Sequence, residues 1–266
     1  MWKLYDDLID NIEEGIKITD YYVGSSWTMV RTEDNIGIAL TVRSSTRPRI
    51  NQKSLIGMDL KDAAELVKSW NFKEASIGNA AINAYYNTYE KIDALQGFAD
   101  IDFSKKDLES RKKKDVFIEY REHIKGKKVA IIGRFPKMEK QFASVCDMSV
   151  LERNPSKGDY PDSACEFILP EQDYVFITGM TIINKTLPRL LQIIRKDTKA
   201  VLIGPSVPMT DILFRHNIDG LSGFCVTDQE KSLEILKTGE DIMIFKGGRM
   251  LSIKKKTVTE NFNIKI

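Results

Sequence analysis

The chain has 266 residues, 42% of them hydrophobic, enough to bury one large core or two modest ones. Its 40 lysines and arginines nearly balance 38 aspartates and glutamates, so a net charge of +2 calls for no polyanionic partner and points away from nucleic acid. No apolar run approaches the roughly 18 residues of a membrane span, and Met1 to Thr19 carries acids where a signal peptide needs a basic start and an apolar centre, so no membrane partner and a cytoplasmic location are expected.

Leu4, Leu8, Ile9, Ile12 and Ile16 recur at helical spacing and predict an opening helix. Tyr21 to Val30 and Gly37 to Val42 are rich in β-branched and aromatic residues, and Thr32-Glu33-Asp34-Asn35 between them supplies turn chemistry, so a hairpin is expected. Past Pro48 and Gly57, Asp59 caps a helix with apolar positions Ala63, Val67 and Trp70, and a second helix runs from about Phe72 to Asn87. From Ala99 to Asp115 the sequence turns charged, offers little to bury and reads as a linker, after which Asp115 caps a short helix carrying Val116, Phe117 and Tyr120.

Beyond the linker, apolar runs at 129–132, 148–151, 174–177 and 200–203 alternate with helical stretches, clearest at Leu187 to Lys196. Continuous apolar strands separated by helices fit a parallel sheet covered on both faces. The expected fold class is therefore α/β: a Rossmann-like, doubly wound, mainly parallel domain over 115–266, with later elements at Phe224–Val226 and Asp241–Phe245, preceded by a smaller α+β domain over 1–105.

In such a sheet ligands bind outside the carboxyl ends of the strands. The residues found there are Gly133-Arg134-Phe135-Pro136, Glu152-Arg153-Asn154-Pro155, Thr178-Gly179-Met180-Thr181 and Gly204-Pro205-Ser206. Turns and helix starts also use these residue types, but four polar turns on one edge make a candidate ligand site. The connection Thr178 to Thr186, TGMTIINKT, is longer than usual. With Thr186 as the cap of the helix containing Pro188, Thr178, Thr181 and Asn184 remain without a structural role and join the candidates. Gly133 lacks the further glycines of a dinucleotide fingerprint. Glu152, however, lies about twenty residues after Gly133, where nucleotide-binding sheets place an acid against ribose hydroxyls. In the N-terminal part, Asn79 and Asn83 share one face of the helix SIGNAAINAYYN, either as ligand contacts or as a surface or interhelical hydrogen bond.

Catalytic residues are not identifiable. His123 and His216 stand in no recognisable triad, and Cys146, Cys165 and Cys225 are far apart with no CxxC spacing. The fragments GRFP, LERNPSKGDYPDSACEFILPEQDYVFITGMTIINKT and VLIGPSVPMTDILFRHNIDGLSGFCVTD resemble the C-terminal domain of the DUF364 family, a domain labelled for heavy-metal chelation. GSSWTMVRTEDNIGIALT and SIGNAAINAYYN resemble the DUF4213 domain that precedes it. The resemblance covers nearly the whole chain. It implies an N-terminal domain similar to the enolase N-terminal fold, a Rossmann-like C-terminal domain, and a site in the cleft between them.

Thiolate clusters are absent from the sequence. A metal would have to rely on oxygen ligands such as Glu152, Asp159 or Asp228, or arrive inside an organic ligand. Three readings follow: binding of a small anionic or metal-bearing ligand in the cleft, an enzyme acting on a nucleoside-containing substrate or cofactor, and a non-catalytic scaffold. A homodimer is the default assembly.

Overall fold

The computed structural model describes residues 1–44, 47–99, 119–135, 141–238 and 241–255. Most of the expected linker and of the short helix after it lie outside the described residues. Two sheets organise the chain. β1 (Asp20–Val23), β2 (Trp27–Arg31) and β3 (Ile36–Leu40) form an antiparallel three-stranded sheet. The expected hairpin is thus a meander, because Tyr21–Val30 is broken at Gly24-Ser25-Ser26, where Gly24 N donates to Trp27 O at 2.8 Å. That glycine and two serines are ordinary turn chemistry inside what reads as a continuous β-prone run.

Helix α1 (Lys3–Asp10) buries Leu4, Tyr5, Leu8 and Ile9. α2 (Leu60–Ala64) is capped by Asp59, whose carboxylate accepts from Lys61 N at 3.0 Å. Of the three apolar positions expected there, Ala63 and Val67 are buried but Trp70 is 55% exposed, its ring edge-on to Trp2. α3 (Phe72–Tyr86) starts at Asn71, whose side chain accepts from Glu74 N, and is followed by α4 (Tyr89–Ala94). α3 lies so close on β3 that a Cβ at Gly37 would stand 2.1 Å from Ala80 O, so only glycine permits this approach.

The larger sheet has eight strands in the order β4-β11-β10-β9-β8-β5-β6-β7. These are β4 (Phe98–Ala99), β5 (Lys128–Ile132), β6 (Asp147–Glu152), β7 (Tyr160–Pro161), β8 (Tyr174–Thr178), β9 (Lys199–Ile203), β10 (Gly220–Val226) and β11 (Gly248–Lys254). From β10 to β7 all neighbours are parallel, while β11 runs antiparallel to both β10 and β4. The last expected element is displaced: Asp241–Lys246 is a 3-10 turn and the strand begins at Gly248. Between strands lie α5 (Cys165–Ile168), α6 (Met180–Ile183), α7 (Leu187–Ile193) and α8 (Gln229–Thr238).

Alternate residues of the parallel strands feed two different cores. Ala130, Ile132, Val175, Ile177, Ala200 and Leu202 join one that continues without a break through α1, α2 and α3, while Val129, Ile131, Phe176, Val201 and Ile203 face the opposite layer. That double burial is why the strands read as unbroken apolar runs. In the small sheet β2 and β3 are buried in the same manner, with Val30 and Ala39 towards α3 and Trp27, Met29, Ile36 and Ile38 towards β10 and α8, while β1 is largely exposed.

Candidate functional site

The chain leaves β5 for β6 on one side and returns to β8 on the other, so the crossover reverses between β5 and β8. Ligands of open parallel sheets bind at that point, where strand-end loops diverge and leave a crevice. Register brings the candidate residues there into one row. Ile132 is paired with Leu151 and with Ile177, and Thr178 with Ile203, so Glu152, Gly133 and Thr178 stand side by side at the carboxyl edge, and Gly204, one residue past Ile203, continues them as a staggered row. Four strands at parallel-sheet spacing make this row about 14 Å wide.

Two members of the row adopt left-handed backbone. Gly133 has φ +93° and its Cα faces the Thr178 side chain, whose Cγ2 would be 2.9 Å from an added Cβ. Gly204 has φ +120°, and a Cβ there would meet nothing within 4 Å. The sheet amides are still satisfied: Gly133 N donates to Leu151 O, Gly179 N to Ile203 O and Gly204 N to Ser222 O, at 2.9–3.0 Å. Polar capacity at the edge therefore comes from side chains. Thr178 and Glu152 are half-buried. Glu152 Oε1 accepts from its own loop amides, Arg153 N at 2.8 Å and Asn154 N at 3.4 Å. Asn154 itself is exposed. Arg134 is exposed and holds Asp159 at 2.5 Å, and Phe135 packs beside it on the outer core. The Arg134 guanidinium holds the Asp159 carboxyl below the usual carboxylate range, with Ser156 N at 2.8 Å adding to the effect.

The asparagine face of α3 has a different character. Asn79 Nδ2 donates to Ser206 O at 2.8 Å, and Asn83 Nδ2 to Ile38 O at 2.8 Å and Pro205 O at 3.2 Å. Asn87, one turn further, donates to Val207 O and Phe224 O and accepts from Met209 N at 2.8 Å. All three are buried, and Ser206 Oγ accepts from Leu40 N at 2.9 Å. The helix is thus stitched onto the loop after β9, and the two halves are in closed contact along this line rather than separated by a cleft. Asn79 Oδ1 and Asn83 Oδ1 remain buried without a hydrogen-bond partner among the described residues.

TGMTIINKT resolves into a strand end and the short helix α6. Thr181 is buried and its hydroxyl donates to Thr178 O at 2.7 Å. Asn184 Oδ1 accepts from both the amide and the hydroxyl of Thr186, at 3.1 and 2.6 Å. Thr186 stands at the N-cap of α7 but makes no side-chain cap; its backbone is helical there (φ −83°, ψ −23°) rather than extended as in a capping residue. Thr181 and Asn184 therefore have local structural partners, and Thr178 is the residue of the stretch that lies in the strand-end row.

The same stretch contains a residue that sequence reasoning passed over. Lys185, in left-handed backbone at φ +65°, donates Nζ to the carbonyls of Ser69 and Ile183 and lies over the rings of Trp70 and Phe72, 5.7 and 5.2 Å from their centres. Burial pushes its ammonium down to about 8. Its contacts with Ser69 lie 116 positions away in the chain, so no local pattern could have marked it.

Two family models match. DUF364 covers residues 115–255 and DUF4213 covers residues 5–86, each described as "Putative heavy-metal chelation". The chain belongs to the DUF364 family. A DUF364-family protein of unknown function from Desulfitobacterium hafniense, known from its crystal structure, is 38% identical, with 96% of this chain and 99% of that chain covered and a TM-score of 0.85. A second such crystal structure, from Pyrococcus horikoshii, has 24% identity and a TM-score of 0.77 over 95% of this chain and 98% of that one, and shares the fold. An uncharacterized protein of Methanocaldococcus jannaschii is 29% identical over 251 residues, 91% of each chain.

Chelation by the chain's own soft donors does not fit the geometry. All three cysteines and both histidines are among the described residues, and no three His, Cys, Asp or Glu side chains among those residues gather into a metal-binding group. Burial pushes the thiols of Cys146 and Cys165 up to about 11 and that of Cys225 to about 12, which disfavours the thiolate a soft metal needs. The oxygen candidates are dispersed too. Asp159 is held by Arg134, Glu152 by its own loop amides, and Asp228 is an exposed residue before α8 whose Oδ1 accepts from Lys231 N at 2.9 Å.

Proposed function

We propose that this chain binds a small anionic organic ligand, free or bearing its own metal, at the carboxyl edge of a Rossmann-like sheet carried by 115–266, which β4 joins at one edge, and closed on one side by an enolase N-terminal-like domain over 1–105. The observation that carries the reading is the in-register row of Glu152, Gly133 and Thr178 at the crossover reversal, continued one residue further out by Gly204, with open space over Gly204. The parallel strands run in sequence order 3-2-1-4-5-6 when counted from β5, the order of dinucleotide-binding sheets, which supports the choice of this edge.

In this reading the Thr178 hydroxyl and the Arg134 guanidinium engage the ligand's acidic group, Arg134 exchanging Asp159 for it, and Phe135 and Pro205 offer apolar walls. Asn79, Asn83 and Ser206 act behind this layer by fixing the 204–206 backbone. A metal, when present, keeps ligands from its organic carrier, consistent with the absence of a soft-donor cluster among the described residues. Thermal shift against divalent metals, metal tetrapyrroles and phosphorylated metabolites tests the proposal. A ligand at a hundred times its Kd adds about 2.7 kcal/mol of stability, and Thr178→Val with Arg134→Gln should abolish the shift. An undiminished shift in that double variant refutes the site.

A nucleoside-containing ligand is the second reading, favoured by one observation: Glu152 ends the strand neighbouring β5, where a ribose-binding acid would stand, and only its Oε1 has hydrogen-bond partners among the described residues. It requires adenosine compounds to stabilise the protein and Glu152→Gln to remove that effect.

A further inference from the structure

Away from the sheet edge, a hollow of about 250 Å³ opens between α1 and α7, walled by Lys3 and Leu4, by Pro188, Leu191 and Gln192, and by His216. Its floor is apolar, since Leu4 and Pro188 are buried and Leu191 half-buried. Its polar side is a linked set. His216 Nε2 lies 2.8 Å from Asp7 Oδ2, and Lys3 Nζ donates to both Asp7 oxygens at 2.9 and 3.0 Å. Burial would raise the Asp7 carboxyl, but the hydrogen bonds and charges of Lys3 and His216 outweigh it and hold the group below its ordinary value.

An ionised Asp7 can only accept, so Nε2 of His216 carries the hydrogen of their contact. Nδ1 has no hydrogen-bond partner among the described residues, and whenever the ring is neutral it is a bare acceptor. Lys3 retains one N–H beyond the two directed at Asp7, and the exposed Gln192 amide has no hydrogen-bond partner among the described residues.

We propose that this hollow is a second small-molecule site, taking a short aliphatic acid that carries a hydrogen-bond donor on the carbon next to its carboxylate. The carboxylate meets Lys3 and Gln192, the adjacent hydroxyl or ammonium donates to His216 Nδ1, and the aliphatic chain lies on Leu4, Pro188 and Leu191. The volume suits a molecule the size of leucine or 2-hydroxyisocaproate. None of the hollow's walls belongs to the strand-end row, so the site is distinct from the one proposed at the sheet edge.

The test is ligand-observed NMR on the full chain with three probes: 2-hydroxyisocaproate, leucine and isocaproate, the last lacking the donor. Hydroxy acid or amino acid should bind, isocaproate should bind about tenfold more weakly, and His216→Gln should weaken the favoured probe to the level of isocaproate, as expected for loss of one hydrogen bond. Leu191→Trp, which fills the hollow from a half-buried position, should remove all binding while the thermal transition stays cooperative. No binding by either donor-bearing probe, isocaproate binding as well as they do, or His216→Gln or Leu191→Trp leaving the affinity intact overturns the proposal. Preference for the hydroxy acid over leucine, or the reverse, identifies which donor the imidazole accepts.

Discussion

The asparagine face of α3 and the strand-end row drew attention for the same reason, polar residues where a core or a turn did not require them, yet they have opposite physical characters. Asn79, Asn83 and Asn87 are fully buried and their amides bind backbone carbonyls of β3, β10 and the loop after β9. Glu152, Gly133, Thr178 and Gly204 are half-open, with two of the four in left-handed backbone and one facing empty space. The buried asparagine amide nitrogens are spent on backbone carbonyls, whereas an edge group can wait for a ligand. The asparagines hold the frame and the edge is left to bind.

If that division is right, substitutions in the two regions separate stability from binding. The largest loss of stability should follow Asn87→Ala, which strips partners from Val207 O, Phe224 O and Met209 N, all buried. At about 1–3 kcal/mol for each group left unsatisfied, the expected loss is roughly 3 kcal/mol or more by urea unfolding. Asn83→Ala should cost less, about 2 kcal/mol, because it removes partners from two carbonyls but also deletes an acceptor that is itself unsatisfied.

Lys185 adds a pH signature. Its folded pKa of about 8 lies below the ordinary 10.5, so the buried charge costs stability below pH 8, and that cost fades as pH rises towards 10.5, where the unfolded chain also loses the proton. Relative to Lys185→Met, the parent protein should therefore gain stability between pH 8 and 10.5. A constant difference between the two across that window means the ammonium is not desolvated. The smallest effect on stability, under about 1 kcal/mol, belongs to Thr178→Val, which keeps the shape against Gly133 and removes a hydroxyl on the edge. Its effect should show in ligand binding alone.

Much of the fold was legible because double burial writes itself into sequence: the β5, β6, β8 and β9 runs stand within a residue of where they read. The strand-end residues were legible for the same reason, since an apolar run that stops at Gly or Thr marks a sheet edge. What stayed hidden depends on distance in the chain. Asn79 bonds a carbonyl 127 positions away and Lys185 one 116 away, and neither local spacing nor propensity carries that information. Trp70 misled because an aromatic at helical spacing looks like core, yet it follows the turn after Lys68 and faces outward against Trp2. The meander was missed at Gly24, whose turn is shorter than the β-prone run surrounding it.

The most direct test uses the glycines of the edge as reporters. With the protein labelled with ¹⁵N only at its 16 glycines, addition of a metal tetrapyrrole or phosphorylated metabolite that raises the melting temperature should move the amide signals of Gly133, Gly179 and Gly204 and leave Gly15, Gly57 and Gly126 in place. Stabilisation by such a compound that leaves Gly133, Gly179 and Gly204 unmoved would contradict a ligand site at the carboxyl edge.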